Sequence, residues 1–87
     1  MKIKYRTIEI QEVLDHFMVK LSSDFSDDVR VLSLNETSCL ILTSIQDGLN
    51  EGEIVKKMLD TYNVDEATAQ KEVKAFIQQL KDSGIVE

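Results

Sequence analysis

Apolar and polar positions alternate along the first third of the chain and then change period. Ile8 and Ile10 repeat at every second residue, with Thr7, Glu9 and Gln11 on the other side. Phe17, Val19 and Leu21 alternate with His16, Met18, Lys20 and Ser22, and Val29, Val31 and Ser33 alternate with Arg30, Leu32 and Leu34. A period of two is the mark of strands with two different faces. The polar run Ser22-Ser23-Asp24-Phe25-Ser26-Asp27-Asp28 separates the last two and supplies turn-forming residues. The pattern predicts three short antiparallel strands, and because three strands alone are marginal in water, their apolar face must pack on something.

From Asn35 onward the period is helical and the ends are punctuated. Asn35 precedes the run Leu40, Ile41, Leu42 and Ile45, which closes at Gly48. Asn is a strong N-cap and Gly the usual residue just past a helix end. Asn50 opens a second helix with Glu53 three residues on, a capping-box spacing, and Leu49 and Ile54 are placed as a hydrophobic staple. Its stripe is Ile54, Val55, Met58, Leu59 and Tyr62, and Gly52 falls in its first turn, where a glycine is tolerated at about 1 kcal/mol. Asp65 caps a third helix, with Glu66 favouring its dipole and Val64 placed to staple onto Ala69. Its stripe of Ala69, Val73, Phe76, Ile77 and Leu80 ends at Gly84 and is the strongest periodic signal in the chain. The order β-β-β-α-α-α describes an α+β, winged-helix-like domain: a three-stranded antiparallel sheet followed by three helices.

Composition narrows the function. Eighty-seven residues allow a single core, so residues 1–87 are expected to form one domain. Sixteen acidic side chains against ten basic give a net charge of −6. Residues 1–34 are nearly balanced, with five basic and six acidic, whereas 35–87 carry five basic and ten acidic. A nucleic-acid binder shows a basic face, and an acidic helical half repels phosphate, which argues against partnership with DNA or RNA. No run approaches the roughly 18 apolar residues of a membrane helix, and Met1-Lys2-Ile3-Lys4 leads into a strand pattern instead of a signal-peptide core. One cysteine forms no internal disulfide. The expectation is a cytoplasmic protein with no membrane partner.

Candidate chemistry is sparse. His16 is the only histidine, so a two-histidine metal site within one chain is excluded, and beside Asp15 it reads as a surface residue. Cys39 precedes an apolar run without a basic neighbour and reads as a buried structural thiol. Asp27 and Asp28 are adjacent carboxylates that point in different directions and read as a solvated turn. Nucleophile elbow, P-loop and G-x-G-x-x-G patterns are absent from the sequence. The chain reads as a non-enzyme with no cofactor and no metal.

What remains is an interaction surface. The strand Val29–Leu34 enters the first helix with only Asn35 between, so it lies close to the helical layer. As an edge strand it would offer unpaired N–H and C=O groups to another chain. Natural edges are blunted with lysine or proline, and this one has Arg30 as its only charge. Its neighbours would come from the third helix, with Lys74, Gln78 and Lys81 flanking the apolar stripe.

Leu34-Asn35-Glu36-Thr37, the apolar helix to Asp47-Gly48, Glu53-Ile54-Val55, Tyr62-Asn63-Val64-Asp65-Glu66-Ala67-Thr68-Ala69, then Val73, Phe76, Leu80 and Gly84-Ile85-Val86 together carry a resemblance. Over about 50 continuous residues the chain resembles the PqqD-like family, the peptide chaperones also called RiPP precursor peptide recognition elements. The resemblance implies non-catalytic binding of the leader segment of a ribosomally made precursor peptide. The leader would add as a strand to the third β-strand, beside the third helix, for delivery to a modifying enzyme such as a radical SAM protein, a cyclodehydratase or a leader peptidase. Carried over residue by residue, the receiving strand is Val29, Arg30, Val31, Leu32 and Ser33, and the helix wall is Val73, Lys74, Phe76, Ile77, Leu80 and Lys81. The family commonly has a small residue followed by a bulky aromatic, often Trp, in the first helix, where this chain has Ser38 and Cys39 and later Leu42. The rival reading is a winged-helix regulator or a protein–protein adaptor unrelated to peptide modification. An open edge also allows pairing with a second copy, so the expected state is a monomer or weak homodimer.

Overall fold

The computed structural model describes residues 1–23 and 26–87. Three strands, β1 (Thr7–Val13), β2 (His16–Ser23) and β3 (Ser26–Leu34), form an antiparallel sheet in the order β1-β2-β3. Three helices follow, α1 (Glu36–Gln46), α2 (Glu51–Thr61) and α3 (Glu66–Asp82). The expected α+β, winged-helix-like order is therefore the one found.

The helix starts are the ones the caps specify. Asn35 Oδ1 accepts from the Ser38 N–H at 2.8 Å, and Asp65 Oδ1 accepts from the Thr68 N–H at 3.2 Å. Asn50 forms a complete capping box: its Oδ1 accepts from the Glu53 N–H at 2.9 Å, and its own N–H donates to Glu53 Oε1 at 3.0 Å. These bonds satisfy amides that the first helical turn leaves without partners. Gly48 and Gly84 close α1 and α3 at φ +88° and +76°, a region that other residues enter only with strain.

The sheet departs from expectation between β2 and β3. The polar run anticipated as the connection between them is mostly strand, since β2 continues to Ser23 and β3 begins at Ser26. Asp24 and Phe25, which fell in that expected turn, lie outside the described residues. The register steps beyond the Ser22–Val29 pair, so Asp27 and Asp28 are inserted into β3 as a bulge.

The core lies between the inner face of the sheet and the helices. Val19, Leu21 and Leu34 supply the sheet side, Ile41, Leu42 and Ile45 come from α1, and Ile54, Val55 and Met58 from α2. Ala69, Val73, Ile77 and Leu80 face them from α3, and Ile85, Val86 and Tyr5 close one end. Among the described residues α1 is the helix whose backbone comes nearest the sheet, against β2 and β3, and α2 and α3 pack on α1 and on each other. Ile10 shares the inner face with Val19 but is 42% exposed, whereas Ile8, two residues earlier on the same face, packs against the core. The two ends of the chain meet: Ile3 bridges Val86, and the Lys4 N–H donates to the Ile85 carbonyl at 2.9 Å.

Candidate functional site

The direction of every backbone group in the sheet follows from its tight turn. Val13 and His16 flank a two-residue connection, Leu14-Asp15, whose first residue has φ +56°. Residues that flank such a turn exchange both ladder hydrogen bonds, and from there the bonded side alternates residue by residue. His16, Met18, Lys20 and Ser22 therefore bond toward β1, and Phe17, Val19 and Leu21 toward β3. Across β3 their partners are Leu34, Leu32 and Arg30. The N–H and C=O groups of Val29, Val31 and Ser33 consequently point to the free edge.

The side chains of these three residues lie on the outer face of the sheet, opposite Ser22, Lys20 and Met18. Val29 is 48% and Val31 60% exposed, so the edge that carries open hydrogen-bonding groups also carries exposed apolar surface. Arg30 and Leu32 are half-buried on the inner face, where Leu32 packs against the core. The five strand residues expected to receive a peptide thus lie on one free edge. The other free edge of the sheet, along β1, belongs to a strand that carries Glu9 and Glu12.

Helix α3 stands beside β3 at both ends without touching its backbone. Among the described residues no Cα of β3 lies within 8 Å of one in α3. Where β3 starts, Asp28 and Arg30 share a cleft with Tyr5 and with Gly84, just past α3. At its other end Asn35, Thr37, Ser38 and Ile41 face Glu72, Ala75, Phe76 and Gln79 across a cleft of about 300 Å³. A strand added to a sheet runs about 4.8 Å beyond its neighbour.

The structure divides the helix-wall residues named from the sequence. Val73, Ile77 and Leu80 are buried in the core, and Phe76 is half-buried and faces the cleft. Lys74 lines a different cleft, between α2 and α3, with Glu51, Gly52, Lys56, Leu59 and Gln70. Lys81 is exposed one heptad further on, at nearly the same helical phase as Lys74. The α2–α3 cleft is the larger, at about 510 Å³. It is walled by helix sides whose backbone groups are already bonded within their helices, so it offers nothing for a strand to pair with. Glu72, Ala75 and Gln79, which sequence reasoning passed over, recur at three- and four-residue spacing on the side of α3 next to Phe76. That spacing was available as a signal; what it lacked was knowledge of where α1 crosses.

The remaining candidate chemistry lies elsewhere. Cys39 is buried, and burial pushes its thiol pKa up. His16 stands at the β1–β2 turn with Nδ1 3.4 Å from the Asp15 carboxylate. Burial raises the Tyr62 pKa, with the nearby Glu36 carboxylate adding to it. Among the described residues no three His, Cys, Asp or Glu side chains are grouped to hold a metal ion. Among them, too, no helix is long and apolar enough to cross a membrane.

Comparison with known proteins places this arrangement. The family model described as Coenzyme PQQ synthesis protein D (PqqD) matches residues 25–86, which include β3 and all three helices. Among curated proteins none matches. The fold is similar to that of TbiB1, solved in complex with the TbiA(beta) leader peptide, at a TM-score of 0.75 and 21% identity over 100% of this chain and 95% of that one. It is also similar to lasso peptide synthetase B1, solved with a leader peptide, at a TM-score of 0.71 and 19% identity over 100% of this chain and 99% of the other.

Proposed function

This chain belongs to the PqqD family, and from that premise we propose that it captures the leader segment of a ribosomally synthesised precursor peptide and presents it to a modifying enzyme. The observation that carries this reading is the free β3 edge, with Val29, Val31 and Ser33 turning their backbone groups outward beside α3. An extended peptide pairs with those groups, and its alternate side chains enter the space lined by Phe76, Ala75 and Gln79. The two similar structures were each solved with a leader peptide, which supports the same class of ligand here.

In this reading Val29, Arg30, Val31, Leu32 and Ser33 are the receiving strand and Phe76 is the apolar contact from α3. Val73, Ile77 and Leu80 hold the helix in place from beneath, and Lys74 and Lys81, which lie toward α2, make no contact with the peptide. Residues 1–87 act as one recognition unit in the cytoplasm and perform no chemistry. Binding raises the concentration of the peptide at a partner enzyme, which alone touches the reacting atoms. A radical SAM protein, a cyclodehydratase and a leader peptidase are all partners of suitable chemistry.

Titration of the protein into a fluorescently labelled leader peptide, taken from a short precursor encoded beside it, tests the proposal. Saturable binding that changes little between low and high salt is expected, because main-chain pairing releases few counterions. Affinity that collapses with salt, or preference for duplex DNA, would favour a winged-helix regulator instead.

A further inference from the structure

Among the described residues no Cα of β3 lies within 8 Å of one in α3, and the two walls meet only through core side chains, so the links at the two ends of the groove bear on its width. At the Leu34 end β3 runs through Asn35 into α1, and α1 packs on α3. At the opposite end the connection runs through the N-terminal segment. Past α3, Ile85 accepts a hydrogen bond from the Lys4 N–H at 2.9 Å. The next residue, Tyr5, is buried, and its hydroxyl donates to Asp28 Oδ2 at 2.6 Å. Asp28 belongs to the bulge that precedes the free edge, and its other oxygen lies 3.7 Å from Arg30 Nε.

We infer that Tyr5 is a positioning residue for peptide capture: its bond to Asp28 ties the start of β3 to the end of α3 and fixes the width of the groove. The inference rests on the proposed leader-binding reading. A bulge locally disrupts the ladder and bends its strand, so a bond made there bears on the direction in which the strand leaves it. Pinning Asp28 there holds Val29 and Val31 at one distance from α3. The raised pKa of Tyr5, caused first by the Asp28 bond and then by burial, is consistent with a short, well-formed contact. The groove is then pre-organised, and the incoming strand need not order its walls.

The test is a distance measurement on the free protein joined to a binding measurement. Spin labels at Val29→Cys and Gln78→Cys, in a Cys39→Ala background, report the β3–α3 separation by pulsed electron resonance. The labelled parent should give one narrow distribution, and binding is measured separately on protein that keeps Val29 and carries no label. Tyr5→Phe and Asp28→Ala should each broaden it and weaken binding of the labelled leader peptide by about tenfold, the scale of one lost charge-assisted hydrogen bond. Asp28→Asn, whose amide oxygen still accepts from the hydroxyl, should preserve both. Unchanged width and affinity in folded Tyr5→Phe would overturn the inference, as would equal losses in Asp28→Asn. If the parent binds no leader peptide but the distribution still broadens, the leader-binding reading fails and the tie stands.

Discussion

Val31 pairs with Lys20 across the sheet, and the register turns the Val31 N–H and C=O away from that partner, toward the open side of β3. A residue can therefore be central to a strand and yet contribute no hydrogen bond to its own sheet. Val31→Pro should leave the protein folded, because the ring replaces an N–H that no ladder partner uses. Peptide affinity should fall roughly tenfold or more, since one main-chain bond is lost and the ring obstructs the edge. Leu32→Pro is the contrasting variant: its N–H bonds toward Val19, and circular dichroism should report loss of the folded state.

Phe76 and Ile77 are adjacent in α3 but separate stability from binding. Ile77 is buried, and Ile77→Ala should cost about 2–5 kcal/mol of folding free energy while the folded fraction binds as before. Phe76 is half-buried at the cleft, so Phe76→Ala should lose more affinity for the leader peptide than stability. Thermal melts and titrations of both variants check the division. Equal effects on the two quantities would place Phe76 in the core alone.

The helix caps should act on stability only. Asn50→Ala removes one half of the capping box and should cost about 1 kcal/mol, lowering the melting temperature of a domain this size by roughly 4–8 °C.

Asp65 adds a pH dependence with a defined sign. Its pKa is lowered, first by the side-chain hydrogen bond with Thr68 and then by the Thr68 backbone N–H. Its contribution is therefore present above the unfolded carboxylate pKa and is lost as pH falls through the lower folded value. Asp65→Asn should keep the cap but flatten that part of the acid limb in a melting-temperature profile. An unchanged acid limb would remove Asp65 from the account.

Cys39 should be inert in the folded protein. A buried thiol with a raised pKa presents little thiolate at neutral pH, so alkylation by iodoacetamide should wait for unfolding. Rapid labelling under native conditions would contradict the packing of α1.

Much of this fold was legible in the sequence because its signals are local. Asn35, Asn50 and Asp65 each fix a helix start through a bond to a residue three positions away. Gly84 marks an end for reasons of backbone conformation alone. The strands followed from period two, although the polar stretch from Ser22 to Asp28 concealed how far they continue, since residues in a bulge or near a turn need not be apolar. What was hidden depends on contacts distant along the chain. Ile3 meets Val86 through a single bridge, and Tyr5 reaches Asp28 across 23 positions, with no periodicity to reveal either. The edge strand β3 was identifiable because it abuts α1 directly. Which flank of α3 stays open was not, because an apolar stripe does not specify it. Lys74 and Gln79 sit on opposite flanks of one helix, and only the packing of α1 and α2 decides which of them meets the groove.

The most direct test of the central claim is an amide NMR titration of isotope-labelled protein with the leader peptide of a short precursor encoded beside it. The account predicts the largest shifts at Val29, Val31 and Ser33, smaller ones at Ala75, Phe76 and Gln79, and little change at Lys56 or Lys74 in the α2–α3 cleft. Shifts centred on that cleft or on β1, with residues 29–33 unmoved, would contradict it.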